Sequence, residues 1–370
     1  MSAPTRVLDR GGEAHRIVTA EQGVTIHTDN GITIDQFTPR QYTSCTWGLR
    51  LRDAGTADIV IPPTADYDRL RDIEPWAHSV TIWDVDSGTT LWTGPIHKAR
   101  ASRKGMTISA KDHSAYLSRT RNPITKRWDA ADPATVAGEL WAAMVEAQGI
   151  NTRPIVRVDP EGDRYDFQVI ADEQMLDQTL SDMNSQGLRW TVVAGTPIIG
   201  PVSTKALALL GEHDFLGDGI EFVRDGSQTY NDVLVRAADS NTARARVDYH
   251  GKNLQTIVNL DSMFGVSNVN RAARQYVNHT GKPHTRLELT GGTELHPNAP
   301  VSMDDLMPSA RFIIEARGVR QLFELTSVDV ERRQGAVSVR VTMGTVEDDI
   351  ELLDAANGKQ QNMTLGGQRL

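Results

Sequence analysis

The sequence holds a single cysteine in 370 residues, so no internal disulfide can form and a thiolate-rich metal site is excluded. Cys45 lies in the strand-like run YTSCTWGLRL, where a free cysteine is expected as a small buried hydrophobe rather than as a nucleophile. No stretch approaches the roughly 18 consecutive apolar residues of a membrane helix. The opening MSAPTRVLDRGGEAHR lacks the apolar centre of a secretory signal. The expectation is a chain made in the cytoplasm that stays soluble there or is assembled onward from there. Catalytic signatures are missing as well: there is no HExxH, no GxSxG and no GxxxxGK[ST]. Gly217-Asp218-Gly219 begins like a dinucleotide fingerprint, but Phe222 stands where the third glycine belongs, so the stretch reads as a turn. A formal charge of −9 is mild for this length. It argues against a dedicated nucleic-acid binder, though not against a local basic patch.

Charge is present in two blocks. From His97 to Arg127 the chain carries Lys98, Arg100, Arg103, Lys104, Lys111, Arg119, Arg121, Lys126 and Arg127 against one acid, Asp112. Near the C-terminus the balance reverses in Glu347, Asp348, Asp349, Glu351 and Asp354. Such blocks are either solvated faces of ordinary elements or complementary surfaces in an assembly, and the basic block could also face a polyanion.

The length fits two or three domains, and the texture of the chain changes twice. Residues 1–125 read as β-structure, with short period-two runs such as VTIHTD, GITID, TWGLRLRD, ADIVIPP, VTIWDV, TTLWTGPIHKARA and KGMTISAKD. Asp29-Asn30-Gly31 and Asp53-Ala54-Gly55 mark turns. Strands in this number without helices between them suggest a small barrel or sandwich. Residues 126–205 read as a helix–strand module. Asp132 is a good N-cap, Pro133 suits the first helical position, Val136, Leu140 and Met144 repeat at i+4, and Gly149 ends the helix. A second helix is predicted from near Asp172, burying Leu176, Leu180 and Met183 and stopping at Gly187, before the strand pair in LRWTVVAGTPIIGP. Residues 206–350 return to β-structure around one helix near 267–280. Residues 351–370 are polar and small, expected as a flexible tail or a segment that orders only against a neighbour.

Three places invite chemistry. Asp84 and Asp86 sit between Trp83 and Trp92 in VTIWDVDSGTTLWTGPI, a carboxylate pair beside aromatics. Glycoside cleavage needs two carboxyls across a cleft, one with a raised pKa. A hairpin tip is normally exposed, so the plain hairpin reading is preferred. His279 and His284 in NHTGKPH have no third ligand nearby, and a helix-terminal histidine is the commoner case. The acidic 159–166 loop lacks EF-hand spacing, and Asp304-Asp305 precedes a strand as a loop or cap. No metal or cofactor is expected. The tryptophans remain: Trp83 and Trp92 are cross-strand neighbours in one register and on opposite faces in a register shifted by one. With Trp47 and Trp76, they exceed what one small core absorbs, and the remainder would suit a contact surface.

The order of these pieces carries a resemblance. WGLRLRDAGTADIVIPP is followed by LWTGPIHKA and MTISAKDHSAYLSRT, then by MLDQTLSDMNSQGLRWTVVAGTPIIGP, YNDVLVRAAD, NVNRAARQYVNHTGKP and FELTSVDVERRQGAVSVRVTMGT. Within it, Gly94-Pro95-Ile96 with Ile108-Ser109-Ala110-Lys111-Asp112, and Asn231-Asp232-Val233-Leu234-Val235, match the strand motifs of the family. Over residues 40–346 the chain resembles the tail-hub (baseplate hub, minor tail protein) family of long-tailed bacteriophages. It departs at SMDDLMPSARFIIEA, where the family often has Gly-Asp. The resemblance implies a mainly β (α+β) fold of two tail-tube-like antiparallel β-barrel domains with the small α/β module between them. It implies a non-enzymatic homotrimer in the virion, at the tail tip. Its partners would be the distal tail protein ring, the C-terminus of the tape-measure protein and tip or fibre proteins, with transient passage of phage DNA and no membrane span. Trp83, Trp92, Lys98, Arg100, Arg103 and Lys104 are the candidate interface or lumen residues. A tail-borne carbohydrate-binding module and, less favoured, a cell-wall hydrolase are the alternatives. The short stretch after the last β region counts against an appended lytic or fibre domain.

Overall fold

The computed structural model describes residues 17–18, 21–63, 73–103, 105–159, 162, 164–184, 187–217, 219–227, 229–237, 241–260, 266–289, 291–333 and 335–346. The expected tail at 351–370 and most of residues 1–20 lie outside them. The described chain is mainly β. Its first region forms β1 (Gln22–Thr28), β2 (Thr33–Phe37), β3 (Ser44–Arg50), β4 (Thr56–Ile61), β5 (His78–Asp84), β6 (Thr90–Ser102) and β7 (Gly105–Lys111). A 3-10 helix (His113–Arg119) leads to β8 (Lys126–Ala131), α1 (Pro133–Gln148), β9 (Ile155–Val156), β10 (Tyr165–Val169), α2 (Leu176–Asn184), β11 (Trp190–Val193) and β12 (Thr196–Ile199). Then follow β13 (Ala206–Gly211), β14 (Ile220–Asp225), β15 (Asp232–Ala237), β16 (Thr242–Arg246), β17 (Gln255–Leu260) and α3 (Val266–Thr280). The last are β18 (His284–Leu289), β19 (Thr293–Glu294), β20 (Arg311–Ala316), β21 (Val319–Arg333) and β22 (Ala336–Thr345).

Period-two alternation does what it should in the strands: β20, RFIIEA, buries Phe312, Ile314 and Ala316 and leaves the residues between them half-buried. These faces join in a 12-stranded sheet of order β13-β20-β21-β3-β4-β7-β6-β5-β1-β2, with β22 beside β21 and β19 beside β22. The two ends of the chain therefore share one sheet. β3 pairs with β21, setting Trp47 opposite Val330 and Leu49 opposite Val328, and all four are buried. The path is open, and no closed barrel is found among the described strands.

Two long strands change partners along their length. The first half of β6 pairs with β5 and its second half with β7, with an irregularity between Ile96 and Lys98. β21 pairs first with β20 and then with β3, and its register against β22 shifts between Leu325 and Ser327. Bulges of this kind bend a strand and raise its twist, so one core can serve a sheet this wide. Most pairs are antiparallel as expected, but β9–β12, β13–β20 and β15–β17 run parallel.

Two smaller cores stand beside the large one. Around α1 and α2, Val136, Leu140, Trp141, Met144, Leu180 and Met183 pack with Phe167 and Trp190. α1 follows its sequence signals: the Asp132 carboxylate accepts from Ala134 N–H, Pro133 opens the helix, and Gly149 closes it at φ 66°. α2 starts at Leu176 rather than near Asp172. Asp172 has φ 63° and Met175 forms a β-bridge with Arg121, so the turn before the helix is spent on docking the chain instead. The third core is the three-stranded sheet β16-β15-β17 with α3 on one face, joined through Val233, Val235, Ala273 and Tyr276.

The helical module is fastened to the large sheet at the end of β3. Arg52 N–H donates to Trp190 O at 2.9 Å, and its Nε donates to Leu188 O at 2.7 Å. Arg189 and Glu324 form a 2.6 Å ion pair with side chains only 14% and 15% exposed.

Candidate functional site

The two motifs around Gly94 and Asp112 meet in space. Pairing of β6 with β7 sets Ile96 opposite Ala110 and brings Gly94 onto the end of β7. A Cβ at Gly94 would stand 2.0 Å from the Lys111 carbonyl oxygen and 2.7 Å from Asp112 Cα, a crossing that only glycine permits. Asp112 itself is 2% exposed. Its Oδ2 accepts from Gly55 N–H at 2.7 Å, and its Oδ1 accepts from Ser114 N–H at 2.9 Å and Ser114 Oγ at 2.5 Å. Its own N–H donates to Gly55 O at 2.8 Å. One carboxyl thus ties the β3–β4 turn to the start of the 3-10 helix. Burial pushes it up to about 7, against the downward pull of the bonds from Ser114 and Gly55. The motif pattern points to these residues; the clamp on Gly55, 57 residues away, leaves no local trace in the sequence.

The tryptophans divide by face. Ile82 pairs with Trp92 and Trp83 with Thr90, so β6 carries an extra residue at Leu91. Trp92 shares the core face with Ile82 and is 1% exposed, which withdraws it from any contact surface. Trp83 lies on the other face, half-buried, with its ring packed over Gly23 and its Nε1 donating to Thr25 Oγ1 at 3.0 Å. Trp47 is core, donating to Gln22 Oε1 at 3.1 Å. Trp76 is half-buried, edge-on to Tyr116 at 5.5 Å, with the Arg119 guanidinium over its ring.

Of the basic stretch, Lys98 and Arg100 are exposed on the face of the large sheet turned away from the core, and Arg103 is exposed in the β6–β7 turn. Lys104 lies outside the described residues. Lys98 opens a registered row across six strands, Lys98–Ser109–Asp58–Thr46–Glu331–Ser338. Ser109 Oγ donates to Asp58 Oδ1 at 2.5 Å, and in a neighbouring row Arg50 pairs with Asp329 at 2.6 Å. This face is hydroxyl-rich and carries both signs of charge.

The remaining candidate carboxylates and histidines lie in turns and at the ends of elements. Asp84 is buried rather than exposed, 8% accessible, because its Oδ1 accepts from Ser87 N–H at 2.8 Å and Ser87 Oγ at 2.9 Å to shape the turn. Asp86 is exposed. Asp305 caps its loop by accepting from Ser302 N–H and Oγ. His279 falls in the last turn of α3 and His284 opens β18; their side chains lie outside the described residues. Among the described residues no group of three or more His, Cys, Asp or Glu is arranged to hold a metal. Cys45 is fully buried, and burial pushes its thiol up to about 12. No helix among the described residues is long and apolar enough to cross a membrane.

This architecture has solved counterparts. The 43 kDa tail protein of prophage MuSo2 from Shewanella oneidensis is 12% identical with a TM-score of 0.51, over 88% of this chain and 99% of that one. The tail protein from Neisseria meningitidis MC58 is 15% identical with a TM-score of 0.52, over 90% of this chain and 99% of that one. No family model matches the sequence, and no curated protein does. Over nearly its whole length the chain thus has the fold of these tail proteins.

Proposed function

We propose that this chain is the hub subunit of a phage tail, a structural protein without catalytic activity that forms a homotrimeric ring between the tube and the tip. The observation that carries the reading is the open sheet joining both ends of the chain, apolar on one face and polar on the other. Among the described residues its terminal strands β2 and β13 each have one unpaired edge, and Ile32 and Leu209 beside those edges are 66% and 44% exposed. Free edges of this kind invite pairing, and an edge of one copy meeting a different edge of the next makes a ring when the rotation between copies closes on itself. In this reading residues 1–125 and 206–350 supply two tube-like units per copy, three copies give pseudo-sixfold symmetry, and residues 126–205 decorate the ring. The hydroxyl-rich face with Lys98 and Arg100 lines the passage, where a wettable surface of mixed charge lets DNA slide without holding it. The ring then meets a distal tail protein ring above, tip or fibre proteins below, and the end of a tape-measure protein in the lumen.

The test is the mass and symmetry of the purified protein and its place in virion images. A threefold particle of three 40.7 kDa chains is expected. A stable monomer that clears cell-wall material would refute the reading. Lys98→Glu with Arg100→Glu should leave folding unchanged, because both side chains are exposed, and should lower infectivity. Normal plaque counts from that variant would remove the lumen assignment.

A further inference from the structure

The outer face of the β16-β15-β17 sheet has no role in the hub reading. α3 covers one side of this sheet, and the registers order the other. Arg246, Asp232 and Gln255 form one row, Arg244, Leu234 and Ile257 the next, and Arg236 stands beyond Leu234 on β15. Asp232 is already taken. Arg244 Nε donates to its Oδ1 at 2.6 Å, a second guanidinium nitrogen meets Oδ2, and the Arg244 bonds hold the carboxyl down at about 2. Arg236 and Arg246 are exposed and make no salt bridge among the described residues. Between the arginines lies an apolar centre, Ile257 at 54% exposure beside half-buried Leu234. β17 leaves its outer edge unpaired among the described strands. The face therefore offers two guanidiniums outside any ion pair among the described residues, a third bound to Asp232, an aliphatic patch and a free edge.

We propose that this face is the docking site of the chain's own acidic segment, residues 347–354, which reads EDDIELLD. The two surfaces are complementary. Glu347, Asp348, Asp349, Glu351 and Asp354 supply carboxylates, and Ile350, Leu352 and Leu353 supply aliphatic side chains, within one short stretch. The basic β6–β7 hairpin does not match this mixture, because its outward positions pair Lys98 and Arg100 with Ser109 and Thr107 and offer no large apolar side chain. Val346 N–H donates to Leu322 O at 3.0 Å, and the neighbouring Gln321 accepts from Leu287 N–H at 2.8 Å on β18. β18 follows α3 directly in the chain, which ties this end of the large sheet to the chain leaving the three-stranded unit. Eight further residues reach up to about 26 Å when extended. The inference is independent of the trimeric hub.

The test uses the full chain with Ile257→Cys and Leu352→Cys, oxidised and mapped by mass spectrometry. The native Cys45 does not compete, being fully buried. A cross-link within one chain is expected. Its yield should fall about tenfold with Arg236→Glu and Arg246→Glu, and recover when Asp349→Arg and Glu351→Arg are added. Raising the salt from about 0.05 to about 0.5 M should mimic the loss without any substitution, since exposed charges are screened. A yield indifferent to charge reversal and salt would overturn the proposal. So would equal cross-linking of Leu352→Cys to Ala101→Cys on the basic hairpin, or a link found only between chains.

Discussion

Asp112 gives the sharpest test of how the first β region is held. Its side chain is fully buried, and its carboxyl is pushed from 3.8 up to about 7. The folded protein therefore binds a proton that the unfolded chain has lost between those two values. Stability from this group is greatest below about pH 4 and falls as pH rises through about 7, where the carboxylate becomes ionised in the interior. A tenfold change in a protonation equilibrium is worth about 1.4 kcal/mol, so the loss between about pH 5 and about pH 8 is roughly 2–3 kcal/mol. Other groups titrate over the same range, so the measurement is a difference between wild type and Asp112→Asn. The amide keeps an acceptor for Ser114, presents a poor partner to Gly55 N–H, and cannot ionise. Urea unfolding followed by fluorescence of Trp47 and Trp92, both in the same core, should show the variant weaker at low pH. It should gain on wild type by about 2–3 kcal/mol as pH rises. A difference that stays flat would mean that the three donors around the carboxyl outweigh its burial and keep it ionised throughout.

Gly94→Ala should destabilise by about 2–4 kcal/mol, because its Cβ meets the backbone of Lys111 and Asp112 rather than a side chain that can move. Gly88→Ala, with nothing within 4 Å of its Cβ and only a positive φ to violate, should cost about 1 kcal/mol; equal urea midpoints for the two would refute the close-approach argument. Trp92→Ala should cost about 3–5 kcal/mol as a large core truncation and Trp83→Ala less than half of that, read as thermal unfolding shifts. Arg189→Ala should cost about 3 kcal/mol by leaving Glu324 nearly buried and unpaired, whereas Arg189→Met with Glu324→Leu should be close to neutral. A fully additive pair in a double-mutant cycle would show that the ion pair does not fasten the module.

Several features are legible because their causes are local. The Asp132 cap, the Pro133 start, the i+4 apolar repeat and Gly149 lie within one helix, and α1 runs as those signals predict. The hairpin at Asp29-Asn30-Gly31 and the burial of Cys45 are of the same kind. The start of α2 departs from its sequence signals because Asp172 N–H goes to Asn122 O, a contact that helix propensity does not register. Asp84 departs from expectation because a hairpin tip need not be open when its own carboxylate closes the turn. β13, β14 and β17 have no clear sequence signal: each owes its state to a partner strand far along the chain.

By itself the sequence determined the mainly β character, the helical interruption between two β regions and the ends of α1, all functions of neighbouring residues. Only the tertiary structure decided that the first and last β regions share one sheet. It also decided that one extra residue at Leu91 sends Trp92 inward and Trp83 to the opposite face, and that Asp112 is buried against Gly55. The physical reason is that strand pairing is a contact between distant segments, and a side-chain period of two lets a single inserted residue reverse a face. The composition of a strand states that it has an inside and an outside, and its partners decide which residues take each.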